Sequence, residues 1–141
     1  MAAFSDYVES GLINHLLRTG TFAKPPNISI ALCSNVPVDA STGANCSELP
    51  NSNGYARFNM GAPADASWAA PGASGYTYNL SQLTFNQATA DWGYVSGVAI
   101  VDSGVYGAGN VLMYGALTTP RQVLNGDQFK FNVADIQWTL A

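Results

Sequence analysis

Charge is scarce in this sequence. Only 10% of its 141 residues are Asp, Glu, Lys or Arg, against about 25% in a typical soluble domain. The five basic residues (Arg18, Lys24, Arg57, Arg121 and Lys130) are scattered, and the formal net charge is −4. Neutralising nucleic-acid phosphates takes a basic stripe, so no nucleic-acid partner is expected. Long apolar runs are also missing, since none approaches the ~20 residues of a membrane span. The first residues carry no basic flank and are amphipathic rather than continuously apolar, so neither a membrane partner nor a signal peptide is expected.

Catalytic vocabulary is equally thin. His15 is the single histidine, and it lies beside Asn14 in a helical stretch where a surface or interface role is the plainer reading. Ser34, Ser47 and Ser74 lack the Gly-x-Ser-x-Gly context of a nucleophile elbow. Among the acids, Asp6 and Glu9 suit a helix start, and Asp91, Asp102 and Asp127 belong to glycine-containing turns. Asp39, Glu48 and Asp65 fall in loops, and nothing in the spacing marks a carboxylate pair for glycoside hydrolysis. One His and two separated Cys give no zinc spacing, and no EF-hand pattern or phosphate-cradling Gly loop occurs. The expectation is a protein that is not an enzyme and uses no metal or cofactor. Cys33 and Cys46 are expected as two free thiols, because a chain this long does not need a bridge; one disulfide is the alternative.

What is present is the punctuation of antiparallel strands. Three short apolar runs within 83–117 are separated by Gly, Asn and Asp. Segments 28–34, 55–60 and 76–80 also read as strands, as does 136–140 at the end of the chain. In 128–133, Phe129, Phe131 and Val133 alternate with Gln128, Lys130 and Asn132. Asn125-Gly126 between strand-like runs is a hairpin signal. The first twenty residues read as one amphipathic helix, capped by Asp6 or almost as well by Ser5, with Val8, Leu12 and Leu16 on its apolar face. Gly11 weakens that helix and Gly20 ends it. The fold class expected is mainly β, a single antiparallel β-sandwich or jelly-roll-like domain over 1–141 with one N-terminal helix on an edge or end.

Two irregular stretches, 35–54 and 61–75, are longer than most connections in a compact domain. Trp68, Tyr76 and Tyr78 lie in or next to the second of them and can cap the core or anchor a subunit contact. Together with Val38 and Leu49 of the first stretch, they are the candidate interface residues. Trp92, Phe85, Tyr114, Phe129, Phe131 and Trp138 fall in or beside strands and are expected in the scaffold core. A weakly charged surface also favours packing against other subunits.

Several of these segments together resemble a family of small phage virion proteins. They are Asp6-Tyr7-Val8-Glu9 through Asn14-His15-Leu16-Leu17, Ile30-Ala31-Leu32, Gly54-Tyr55-Ala56-Arg57, Ala88-Thr89-Ala90-Asp91-Trp92-Gly93, Gly109 through Leu117, and Asn125-Gly126-Asp127-Gln128-Phe129. The family is similar to mycobacteriophage Gp80-like proteins and is often filed under phage tail fibre proteins. Stretches 37–53 and 61–75 depart from the pattern and are where partner-specific contacts are expected. The resemblance implies a structural virion protein. A compact domain without a repetitive shaft or coiled coil looks more like a capsid decoration (cement) protein, as a homotrimer clamping the major capsid protein on the capsid surface. The alternative is a tail fibre or baseplate module that binds a host receptor or glycan.

Overall fold

The computed structural model describes residues 2–140, and these form antiparallel β-structure with one helix. In chain order the elements are β1 (Ala2–Phe4), α1 (Asp6–Leu17), β2 (Ile28–Cys33), β3 (Phe58–Gly61), β4 (Tyr76–Tyr78), β5 (Leu83–Gln87), β6 (Gly93–Val101), β7 (Val111–Val123), β8 (Gln128–Phe131) and β9 (Gln137–Thr139). Five strands make one sheet in the order β1-β7-β6-β2-β3, and two ribbons, β4–β9 and β5–β8, complete a sandwich-like fold. The main core joins Ile30, Leu32, Val98, Ile100 and Leu112 of the sheet to Leu83, Phe85, Phe129, Phe131 and Trp138 of the ribbons. Phe85 is its hinge, with the Phe58, Phe129 and Phe131 rings centred 5.8, 5.9 and 6.3 Å away. These tilted and edge-on arrangements are favourable for aromatic quadrupoles.

Every residue of β2 is buried, which a sheet with one wet face does not allow. Ile28, Ile30 and Leu32 enter the main core. Ala31 and Cys33 enter a second cluster with Cys46, Ala99, Val101 and Val111. Stretch 35–54 supplies Cys46 to that second cluster and runs beside β2, where Cys33 bridges to Glu48 and the Leu49 amide donates to the Leu32 carbonyl. The long stretch therefore covers part of the protein's own sheet. Cys33 and Cys46 are free thiols, and the neighbouring Cys46 side chain together with burial pushes the Cys33 thiol up.

The helix differs from its expected form. Residues 2–4 are a strand, paired with β7 at Gly115, Tyr114 and Met113, and the cap is Ser5, whose Oγ accepts from the Val8 amide. Only Val8 of the helix is buried, so Leu16 does not pack on the core. The helix stops at Leu17, before Gly20, with the Arg18 amide donating to the Asn14 carbonyl. Gly11 has a packing reason, because a Cβ there would lie 2.3 Å from the Phe22 ring.

Two turns also depart from expectation. Asn125-Gly126 does make a turn, with Gly126 at φ +87, but it carries the chain from β7 to β8, strands in different sheets. Its main chain is held from outside: the Asn125 amide donates to Asp91, and the Gly126 amide to the Ala88 carbonyl. Val133 leaves the alternating face, since the chain turns after Phe131 and the Asn132 amide donates to Asp135, which leaves Val133 52% exposed. Among the scaffold candidates, Phe85, Phe129, Phe131 and Trp138 are buried, while Trp92 and Tyr114 are half-buried. Leu32→Ala should therefore cost about 2–5 kcal/mol, and Trp92→Ala should cost less. Urea unfolding monitored by circular dichroism orders the two.

Candidate functional site

One buried ion pair organises the loops of this molecule. Arg57 follows the turn at Gly54 and precedes β3, so its side chain enters between stretch 35–54 and the β6–β7 turn. There Nη2 lies 2.7 Å from Glu48 Oε2, and the two side chains are 1% and 5% exposed. Nε donates to Glu48 Oε1 at 2.9 Å. Nη1 donates to the carbonyls of Ser103, Val105 and Ala108, and Nη2 to that of Gly43. The Tyr55 hydroxyl closes the network by donating to Glu48 at 2.8 Å and accepting from the Leu32 amide at 3.0 Å. Burial and the Glu48 carboxylate push that hydroxyl up. The arrangement uses every face of a guanidinium for positioning and leaves none for a substrate.

A second tie joins the same loop to the helix end of the sheet. Tyr114 donates its hydroxyl to Asp39, the Asp6 amide donates to the Asp39 carbonyl, and Ser5 Oγ donates to the Val111 carbonyl. The neighbouring Asp39 carboxylate, with a smaller contribution from burial, pushes the Tyr114 hydroxyl up to about 12. Asp102 fixes the β6–β7 turn by accepting from the Asn110 amide and side chain at 2.7 and 2.9 Å. The carboxylates of Asp91, Asp102, Asp127 and Asp135 thus accept from main-chain amides in turns. His15 lies on the exposed helix and accepts from the Phe22 amide. No group of three or more His, Cys, Asp or Glu with metal-site geometry occurs among the described residues.

The candidate interface residues fall apart in space and in exposure. Leu49 is 2% exposed; a side chain already packed in the core offers nothing to a partner, so it is withdrawn from the interface set. Val38 is 63% exposed. Trp68, Tyr76 and Tyr78 are half-buried, with Trp68 bridging to Asn79 and the two tyrosine rings 5.7 Å apart. Two exposed apolar groups lie outside that set. Ile13, Leu16 and Leu17 share one helix face by their spacing and are 56, 73 and 81% exposed, and Val105 and Tyr106 project from the β6–β7 turn. Their apolar character was legible; their exposure depends on which elements pack beside them.

A family model described as podophage GP4 fiber I protein gp80 matches residues 3–139. No curated protein matches the chain.

Two outcomes follow from these contacts. Arg57→Met strands the Glu48 charge and should cost about 3–5 kcal/mol; Glu48→Gln with Arg57→Met should cost less than the sum of the single changes in chemical denaturation. The Tyr114 proton is held more tightly folded than unfolded. Its stabilising contribution is therefore full below pH 10 and lost as pH rises through about 12. Ultraviolet titration should find two late tyrosinates, Tyr55 and Tyr114, and Asp39→Asn should return one of them to the ordinary range.

Proposed function

Because the chain belongs to the gp80 family of structural phage virion proteins, we propose that it is a non-enzymatic assembly subunit of a virion fibre. The reading is carried by apolar side chains left outside the core in a weakly charged protein, above all Ile13, Leu16 and Leu17. Three residues at i, i+3 and i+4 form a stripe that seats against the same stripe of other copies. A homotrimer puts three such helices around one axis and removes Leu16 and Leu17 from water. The family's fibre designation supports the tail side of the virion. The rigid loops support a binding role, since Arg57 and Asp39 hold the connections in place before any partner arrives.

A second reading keeps the capsid as the address. The chain has no repetitive shaft, and its only described helix spans twelve residues. A compact block of this kind suits a decoration protein that clamps neighbouring major capsid subunits. Both readings require subunit contacts and no catalysis.

Analytical ultracentrifugation of the purified protein tests the contact. A trimer at micromolar concentration is expected, and Leu16→Asp with Leu17→Asp should give a folded monomer. A wild-type chain that stays monomeric up to high micromolar concentration contradicts the assignment of this stripe.

A further inference from the structure

The longest strand leaves much of one edge without a partner strand. β7 spans thirteen residues, but among the described residues β1 covers its outer side only at 113–115. On its inner side the register jumps from Gly97↔Ala116 to Val95↔Arg121, so Leu117, Thr118, Thr119 and Pro120 stand opposite Ser96 alone. Outside the strand ladders, no main-chain hydrogen bond among the described residues involves 116–122. Natural sheets normally shorten, cover or charge such edges, because unpaired N–H and C=O groups are a template for another strand.

This edge faces a trough. A cleft of about 400 Å³ lies between 115–119 and 135–138, with Arg121 in its lining. A second cleft of about 340 Å³ shares Arg121 and continues along Gln122 and Val123 against Gln128 and Lys130. Trp138, in the wall of the first cleft, is 6% exposed, and its Nε1–H finds no acceptor. It is the one buried side-chain polar group so left among the described residues, and an orphan donor of that kind calls for an acceptor. Arg121 donates to the Lys130 carbonyl at 3.0 Å and lies over the Phe129 ring. Neither Arg121 nor Lys130 makes an ion pair among the described residues.

We propose that this trough receives an extended segment of a different virion protein, added along β7 as a strand, with a carboxylate side chain seated at Arg121 and Lys130. The inference rests on the virion-subunit reading above. The edge from 116 to 123 is roughly 26 Å long at about 3.3 Å per residue, a length that suits a peptide strand better than a small molecule. Gly115, Ala116, Thr118 and Thr119 are small enough to let another backbone approach. Trp138 supplies a donor for a carbonyl of that backbone. The two unpaired cations select an acid, and this chain's own acids are mostly committed: Glu48 to Arg57, Asp39 to Tyr114, and Asp91, Asp102, Asp127 and Asp135 to turn amides. Asp6 and Glu9 lie in the first turn of the helix, where its dipole favours them, which leaves Asp65 as the one acid without such a role; the proposal accordingly takes the complementary carboxylate from another protein.

Hydrogen exchange read by mass spectrometry, on the chain within purified virions and on the isolated protein, tests this. Amides of 117–119, which stand outside the β6 register (Pro120 has none), should exchange at least tenfold more slowly in the virion and stay unprotected in the isolated protein. Arg121→Glu, checked for folding by circular dichroism, should enter virions at least tenfold less than wild type. If the chain is absent from virions, the virion-subunit reading itself falls. If it is present and 117–119 exchange as fast as in isolation, only the strand proposal is overturned. Protection already present in the isolated protein would put a second copy in the trough and would also overturn it. Should Arg121→Glu fail to fold, the wild-type exchange comparison decides alone.

Discussion

The loops of this protein depend on the contact between Arg57 and Glu48. The long connections at 35–54 and 61–75 and the β6–β7 turn are irregular segments that a sandwich of short strands does not hold by itself. The guanidinium ties Gly43 and Glu48 of one long connection to Ser103, Val105 and Ala108 of the β6–β7 turn. An ion pair at this depth is not in itself a large source of stability, since desolvation offsets much of the attraction. Its value is geometric. Arg57 saturates carbonyls that no regular element satisfies, and Glu48 and Tyr55 then fix where the guanidinium sits. With the connection so held, Cys46 can seal the second face of the sheet and Leu49 can enter the main core.

That self-covering explains how a chain with so little charge presents a defined surface. Stretch 35–54 is spent largely on the protein's own sheet, so it is not the free adhesive loop its length suggests. The apolar groups that face water are instead carried on regular or tightly tied elements: Ile13, Leu16 and Leu17 on the helix, and Val105 and Tyr106 on the turn that Arg57 and Asp102 restrain. Contacts built on restrained elements lose less freedom when a partner binds. Such a molecule suits assembly by many repeated interfaces, the ordinary way a virion is built.

Strands were the legible part. Alternation in 128–131, the glycine and asparagine punctuation in 83–117, and the apolar run in 28–34 follow from local chemistry and appear in the structure as β8, β5, β6, β7 and β2. Partnership was not legible. Asn125-Gly126 announces a turn but not whether the strands it joins pair with each other, and here it changes sheets because Asp91 and Ala88 take its amides. The strand at Ala2–Phe4 is too short for a periodic signal and exists only because β7 is there to pair with it. Leu49 and Leu16 exchange expected places, one buried and one exposed, for the same reason: burial is decided by neighbours distant in sequence. The segment Gly54-Tyr55-Ala56-Arg57 carried family resemblance without showing why, and its reason is the buried network. Arg57 looked like one scattered cation among five because nothing near it in sequence reveals the four carbonyls it serves.

The central claim is that this chain works as a fixed structural part of the virion, through contacts and not through chemistry. A cryo-EM map of the intact particle, with the fold placed in density, tests it most directly. The account predicts ordered density for this domain in an appendage at the tail, with the helix face of Ile13, Leu16 and Leu17 buried against other copies. Density over the capsid shell would move the address to the second reading while keeping the role. A particle with no density for the domain, and no copies of the chain by quantitative mass spectrometry, would contradict the account.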